Sequence, residues 1–535
     1  MIRVSFAMVK QASSRGQVKS KAVREDRISL LPTTPPPQVV QSRTRGAGEP
    51  DALLVVVPES PEKDLFRHLP ESERWQELNA RAQPRSGTVR TTVLSNRQQT
   101  LAVLGYIGAT ATPFERLALA GRMLKESAAR EPETLALRVL GLDKLTTPTL
   151  VPAPAQATLD ALLAAALAHA FPLPAYRAPS GGERRIKQIV LHGYEGDELR
   201  YEVASAAGTN LARWLTALPP NMLDAPGYRR AIGELARNHG LSFKWLDEQA
   251  LRRAGANAFL AVSAANERPG AGIAHLQYRP GRRKAATAPD LALIGKGILF
   301  DTGGVNLKPH RSMLDMHTDM GGSAVALATL IALAELRAPF AADAWLAITE
   351  NNIGPRGYRP QEVVRAANGV TIQVIHTDAE GRMVLADTLA LAARTKPKLM
   401  LDFATLTGAA VYALTERMSG VFTNRPALAE RLVEAGRASG ERVWNFPFDA
   451  DYDSDLESKV ADIVQCAVEG KGDHILAARF LSRFVPEELA WAHVDLSAAT
   501  RTGGLGHINT EVTGFGVRYA LQLILKQKIL ESLSA

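Results

Sequence analysis

The sequence predicts an α/β protein of two domains, the second built on a mixed, mainly parallel central sheet flanked by helices. Three observations predict it. Short apolar runs of strand length alternate with longer segments of helical period, the pattern of strands joined by covering helices. Those runs are apolar at nearly every position, as strands buried on both faces require. A chain of 535 residues, 46% hydrophobic and 22% charged, is also long enough to fill two cores.

Taken in order, residues 1–50 are rich in Arg, Ser, Gln and Pro, include Pro35-Pro36-Pro37 and show no sustained apolar period. The expectation is a disordered basic tail. Its acid-poor start resembles a transit peptide, with a spurious upstream start codon as the plainer explanation. Residues 51–172 form an N-terminal α/β domain: Leu53 to Val57 and Leu101 to Gly105 are strand-like, and Pro113 to Ala129 and Ala155 to Phe171 carry helical period. No tight cluster of His, Asp or Glu falls within it, so its role reads as structural. Pro172, Pro174, Pro179 and Ser180-Gly181-Gly182 then punctuate a linker, placed at 173–190.

The second domain, 191–535, alternates Leu291 to Ile294, Ser323 to Arg337, Trp345 to Ile348, Ile372 to Ile375, Met383 to Arg394 and Leu399 to Phe403. In such sheets chemistry collects beyond the carboxyl ends of the strands.

Charge and cysteine narrow the function classes. Of the net charge of +8, residues 1–45 carry nine Lys or Arg against Glu25 and Asp26, a surplus of seven, so the remaining chain is near +1. A nucleic-acid partner therefore ranks below a peptide, although Arg279, Arg282, Arg283 and Lys284 form one local basic run. The apolar stretches Ala161 to Ala168 and Ala324 to Ala334 are too short to span a bilayer. Cys466 is the single cysteine. Disulfide frameworks and cysteine-based zinc sites are excluded, metal chemistry must use oxygen and nitrogen ligands, and a reducing, cytoplasmic setting is expected.

One stretch carries chemistry. Gly295-Lys296-Gly297-Ile298-Leu299-Phe300-Asp301-Thr302-Gly303-Gly304 sets a lysine and an aspartate five residues apart ahead of a glycine turn. Lys308, then Asp319 in Thr318-Asp319-Met320-Gly321-Gly322, then Asp378-Ala379-Glu380-Gly381-Arg382 follow. Four carboxylates in one site repel one another unless cations intervene. Two divalent ions bridged by shared carboxylates can hold an attacking hydroxide and polarise a carbonyl, which predicts hydrolysis of an amide or ester. Asp378 and Glu380, two apart, are expected to share one face of a strand. Taken singly, these residues read as a surface lysine, a turn cap and a polar helix start. Their company makes the metal reading the stronger one.

These motifs resemble the leucyl (cytosol) aminopeptidase family: Lys296 through Gly304, Lys308, Met316-x-x-Asp319-Met-Gly-Gly and Thr377-Asp378-Ala-Glu380-Gly-Arg382. Asn210 to Arg213, Leu218 to Asn221, Ala404 to Gly408, His493-Val-Asp495 and Thr513 to Arg518 extend the likeness over about residues 185 to 525. The resemblance implies a macro-like N-terminal domain and a catalytic metallopeptidase domain that releases N-terminal residues, preferably leucine or other apolar ones, by attack of a water bridging two metals. It implies Lys296, Asp301, Asp319, Asp378 and Glu380 as ligands of two divalent ions, Mn²⁺ or Zn²⁺ and otherwise Mg²⁺ or Co²⁺. Lys308 would stabilise the oxyanion, and Arg382 would hold a bicarbonate serving as general base. Met316, Thr405, Leu406 and Gly408 would bind the substrate side chain. A homo-hexamer without a membrane anchor is implied; a DNA-binding architectural or regulatory protein on the same scaffold is the alternative. Two departures, His317 after Met316 and His376 before Thr377, flank the ligands.

Overall fold

The computed structural model describes residues 29–42, 49–80, 84–142, 154–177, 185–194, 199–281 and 288–533. A first sheet of six strands contains β1 (Gln38–Ser42), β2 (Ala52–Pro58), β3 (Val89–Val93), β4 (Leu101–Ile107), β5 (Thr134–Val139) and β6 (Gln188–His192), in the order β1-β6-β5-β2-β4-β3. All neighbours are parallel except β3, which runs antiparallel to β4 at one edge. Alternate residues of β2 point to opposite faces. Ala52, Leu54 and Val56 meet the helices Pro113–Ser127 and Pro154–His169, and Leu53, Val55 and Val57 meet Phe66 and Trp75.

This sheet differs from the sequence expectation at both ends. Gln38–Ser42, expected within the disordered tail, is an edge strand paired with β6, and β6 itself was assigned in part to the linker. Two valines in β1 and three apolar residues in β6 are too few to show a period, yet pairing buries Ile189, Val190 and Leu191. Further up the tail, Leu31 packs into the second domain's core, and Trp214 donates its indole N–H to the Leu30 carbonyl at 2.9 Å. The remaining expectations for residues 1–28, 43–48 and Ser180-Gly181-Gly182 lie outside the described residues.

Beyond it run β7 (Ser242–Asp247), β8 (Gly272–Tyr278), β9 (Leu291–Asp301), β10 (Ala342–Asn351), β11 (Val363–Arg365), β12 (Thr371–Gln373), β13 (Leu399–Ala404), β14 (Ser419–Thr423), β15 (Val443–Asn445), β16 (Ile463–Val464) and β17 (Ala490–Asp495). Eight of these form the sheet β15-β14-β17-β13-β9-β10-β8-β7, and β11-β12-β16 form a small one. The central run β17-β13-β9-β10 is parallel; β14 joins β17, β8 joins β10 and β7 joins β8 antiparallel, and the edge strand β15 runs parallel to β14. The expected strand Ile372 to Ile375 therefore lies in the small sheet.

Both faces of the large sheet are covered, as its apolar strands require. Leu291, Leu293 and Leu299 of β9, with Leu346 of β10 and Leu401 of β13, join the core of the helices Leu199–Thr216 and Gly321–Glu335. Ala292, Ile294 and Ile298, with Trp345 and Met400, join the core of the helix Glu380–Ala393. Gly295 permits the closest approach: a Cβ there would lie 2.5 Å from the Ser323 Cα and 2.6 Å from the Gly322 carbonyl oxygen. Only without that atom can the start of the helix Gly321–Glu335 rest directly on β9. This contact brings Asp319 to the strand that carries Lys296.

Candidate metal centre

Lys296 and Asp301 are five residues apart, so a regular strand would aim them at opposite faces. The pairing with β10 resolves the parity. Lys296 lies opposite Ala347 and Ile298 opposite Thr349, but Asp301 lies opposite Asn351, because the register shifts between Thr349 and Asn351. A bulge of this kind re-aims a side chain. Both groups reach one side at the carboxyl end of β9. Asn351, at the end of β10, donates its amide to Asp301 Oδ1 at 2.8 Å and to the Thr377 carbonyl at 3.1 Å.

Asp378 and Glu380 do not share a strand face as expected. Residues 376–379 form a turn closed by the Ala379 N–H on the His376 carbonyl at 3.0 Å, and Glu380 opens the helix Glu380–Ala393. β12 ends at Gln373, too early to carry them. An acid in the first helical turn is favoured by the exposed N–H groups there. The turn is stapled to the loop after β9: Thr377 Oγ1 donates to the Gly303 carbonyl at 2.6 Å, and Asn306 Oδ1 accepts the Thr377 N–H at 2.9 Å. Gly303 and Gly304, at φ +87° and +64°, supply the left-handed backbone that this loop needs.

The result is a nest in which Asp301, Asp378 and Glu380 each offer an oxygen within 4.8 Å of the others. Lys308 Nζ sits 2.9 Å from Asp301 and 2.6 Å from Asp378. Lys296 Nζ sits 2.8 Å from Asp319 and 3.0 Å from Glu380, and donates to the Thr405 carbonyl at 2.8 Å. Thr405 Oγ1 in turn donates to Asp319 Oδ1 at 2.7 Å. Four carboxylates thus face two ammoniums. Burial, reinforced by the neighbouring carboxylates, pushes Asp378 and Glu380 up to about 7 and Asp319 up to about 6. For both lysines burial acts downward, but the surrounding carboxylates outweigh it and raise them.

The residues present fit divalent cations. Asp319 Oδ2 and Glu380 Oε2 are buried without a hydrogen-bond partner, which is costly unless something positive completes the site. All donors are oxygens or an amine, the set suited to hard or borderline dications.

Arg382 is placed differently from the expectation. It is buried, and its Nη2 donates to both oxygens of Asp473, at 2.8 and 2.7 Å, while Nη1 donates to the Gln465 carbonyl at 3.2 Å. Burial lowers its pKa, but the Asp473 carboxylate more than offsets that. A free bicarbonate does not fit this arrangement.

Among the residues expected to bind a substrate side chain, Thr405 borders the nest through Asp319. The Leu406 N–H is engaged by Asp495 Oδ1 at 3.1 Å, Gly408 opens the helix Gly408–Leu414, and Met316 lies in the short turn just before Asp319. His376 accepts the Asp378 N–H on Nδ1 at 3.2 Å, and burial followed by Lys308 holds its pKa below the usual value. Burial does the same to His317. Arg279 is not part of a basic surface: it pairs with buried Asp343 at 2.6 Å, and Arg282, Arg283 and Lys284 lie outside the described residues. Sequence reasoning gave no ligand-orienting role to Asn351, Asn306, Gln465 or Asp473. Asn351 could have been found from its position at a strand's carboxyl end; the others carry no local signal.

The chain is similar to known aminopeptidases. A model described as the catalytic domain of the cytosol aminopeptidase family matches residues 210–521. A probable cytosol aminopeptidase of a Synechococcus strain is 40% identical over 326 residues, which are 61% of this chain and 63% of that protein. One from Parasynechococcus marenigrum is 36% identical over 428 residues, 79% of this chain and 85% of that protein. The chain thus spans just under two thirds of the first relative and well over two thirds of the second. Among solved structures, a mutant of tomato leucine aminopeptidase superposes with a TM-score of 0.78 at 26% identity, over 92% of this chain and 96% of that one. The bottromycin maturation enzyme BotP in complex with Mn superposes with a TM-score of 0.74 at 28% identity, over 91% of this chain and 100% of that one.

Proposed function

The chain belongs to the cytosol aminopeptidase family, and from that premise we propose that it is a leucyl-type, metal-dependent aminopeptidase releasing N-terminal residues, preferably leucine or other apolar ones, from peptides. The observation that carries the reading is the carboxylate nest with its two partnerless oxygens, Asp319 Oδ2 and Glu380 Oε2. In this reading Lys296, Asp301, Asp319, Asp378 and Glu380 hold two divalent ions. Such ions would supply a Lewis acid for the scissile carbonyl and an activated water. Manganese is the first ion to test, since one superposing enzyme is described with it.

The chain's own residues do the rest. Lys308, half of whose ion pairing is to the nest's outer aspartate, presents a fixed positive charge to the oxygen that becomes negative as the peptide bond is attacked. Asn351 fixes the orientation of the Asp301 carboxylate, which would be a metal ligand. Thr405 fixes Asp319 and, with Met316, Leu406 and Gly408, borders the space proposed for the substrate's side chain. A thioether and a glycine floor there suit an apolar group. The bicarbonate expected at Arg382 meets a guanidinium already paired with Asp473, and no step is assigned to it.

We also propose a homo-hexamer in the cytoplasm. No helix among the described residues is long and apolar enough to cross a membrane. The decisive experiment strips the purified chain with a chelator, restores Mn²⁺, Zn²⁺, Mg²⁺ or Co²⁺, and follows Leu-p-nitroanilide and Leu-Gly beside N-acetylated Leu-Gly. Metal-dependent release from the free amino termini alone is expected; no turnover with any ion refutes the reading. Size-exclusion chromatography with light scattering tests the hexamer.

A further inference from the structure

We infer that Asp473 is a built-in anion for Arg382, taking the place that the family resemblance gives to bicarbonate, so that this protein works without bicarbonate. The inference rests on the aminopeptidase reading and deepens it at one subsite.

Arg382 stands two residues after Glu380 in the first turn of the helix Glu380–Ala393, 2% exposed, close enough to Glu380 for the two charges to interact. A guanidinium so buried requires an anion within reach. Bicarbonate could meet that need with a planar pair of oxygens and one negative charge, and a carboxylate offers the same pair and the same charge. Here the chain supplies it. Asp473 opens the helix Asp473–Ser482, and both its oxygens accept from Arg382 Nη2, at 2.8 and 2.7 Å. The remaining nitrogens of Arg382 are turned into the protein as well. Nη1 donates to the Gln465 carbonyl, and Nε is sealed from solvent without a partner.

Gln465 makes this a built arrangement rather than a chance surface pair. Its side chain accepts the Ile375 and His376 N–H groups and donates to the Ala379 carbonyl, so one residue braces both the turn carrying Asp378 and the Arg382 guanidinium. Asp473 is partly open on its outer side, with its side chain 24% exposed. Its charge is felt by His376, as is that of Lys308. Asp473 is a positioning residue in this account, acting through Arg382.

The test uses the metal-loaded full chain in carbon-dioxide-depleted buffer, with turnover of Leu-p-nitroanilide measured as bicarbonate is added. Binding of ¹³C-bicarbonate is followed separately by NMR line broadening. The wild-type protein is expected to turn over at the same rate with and without bicarbonate and to bind none. Asp473→Ala is expected to lose at least about tenfold in turnover, to bind bicarbonate, and to recover with bicarbonate or formate; Asp473→Asn, which keeps the shape but not the charge, is expected to stay low. Wild-type turnover that climbs with bicarbonate, wild-type binding of the labelled ion, or an Asp473→Ala enzyme indifferent to both anions each overturns the inference. Should the wild type turn over no peptide under any condition, the aminopeptidase reading falls, while the binding comparison between wild type and Asp473→Ala still decides the role of Asp473.

Discussion

Replacing Gly381 by alanine tests whether Lys296 is locked between the helix Glu380–Ala393 and its two acids. A Cβ at position 381 would stand 2.6 Å from Lys296 Cε, 2.8 Å from Nζ and 2.9 Å from Cδ. Ordinary contacts are at about 3.5 to 4 Å, so the lysine must retreat by roughly 1 Å or the helix must rise. Lys296 is fully enclosed, and its Nζ now lies 2.8 Å from Asp319 and 3.0 Å from Glu380. A retreat of that size breaks both contacts. Hydrogen bonds to charged groups contribute about 1.5 to 3 kcal/mol each, and shared relaxation recovers part of this. Alanine in place of glycine returns up to about 1 kcal/mol of helix propensity. The net expectation is a loss of about 2 to 4 kcal/mol, read as a lower urea midpoint at unchanged slope. Calorimetric titration of the metal-stripped variant should show Mn²⁺ affinity reduced by at least about tenfold. If Gly381→Ala is as stable as the wild type or more so, with metal affinity intact, Lys296 is not held against this helix and the ligand geometry argued above is wrong.

Four further outcomes are expected. Lys308→Ala, which removes the ammonium between Asp301 and Asp378, should lower kcat by about 10² or more while KM moves little; an undiminished kcat would take the oxyanion role from it. Asn351→Leu leaves Asp301 Oδ1 with only the Gly303 N–H, and Mn²⁺ affinity should fall by about 10- to 100-fold, measured by calorimetry. Metal uptake should also be strongly pH-dependent, because Asp319 at about 6 and Asp378 and Glu380 at about 7 hold protons that a cation must displace. Affinity should rise with pH through 6 to 7 and level off above, with protons released to the buffer. These acids are raised above their ordinary values of 3.8 and 4.5. Their contribution to the stripped fold is therefore fully present below those ordinary values and lost as pH rises through 6 to 7. Melting scans should show metal-free protein weakening across that interval while loaded protein does not; parallel curves would contradict the linkage.

The α/β class and the helix-covered sheet were legible without coordinates. Runs such as Leu291 to Ile294 are short and apolar at consecutive positions, as a strand buried on both faces requires; the structure divides those residues between two cores. The candidate ligands were legible too, because glycine-flanked acids and lysines recur in one order along a single stretch. Their arrangement was not. Asp378 and Glu380 read as strand neighbours and are instead a turn and a helix start, since spacing of two suits either and only the end of β12 decides. Gln38–Ser42 read as tail because an edge strand of five residues, half exposed, has no periodic signal of its own.

What the sequence determined by itself, then, is local chemistry: which segments bury both faces, where glycine admits close backbone, and which titratable groups travel together. The tertiary structure decided the pairings that connect distant segments. A shift of register between β9 and β10 brings Asp301 to the side of Lys296 and opposite Asn351. Arg382 meets Asp473 across ninety-one residues of chain. A pair so far apart leaves no spacing to read, because its distance is set by how the helices Glu380–Ala393 and Asp473–Ser482 pack against each other rather than by any repeat of the backbone.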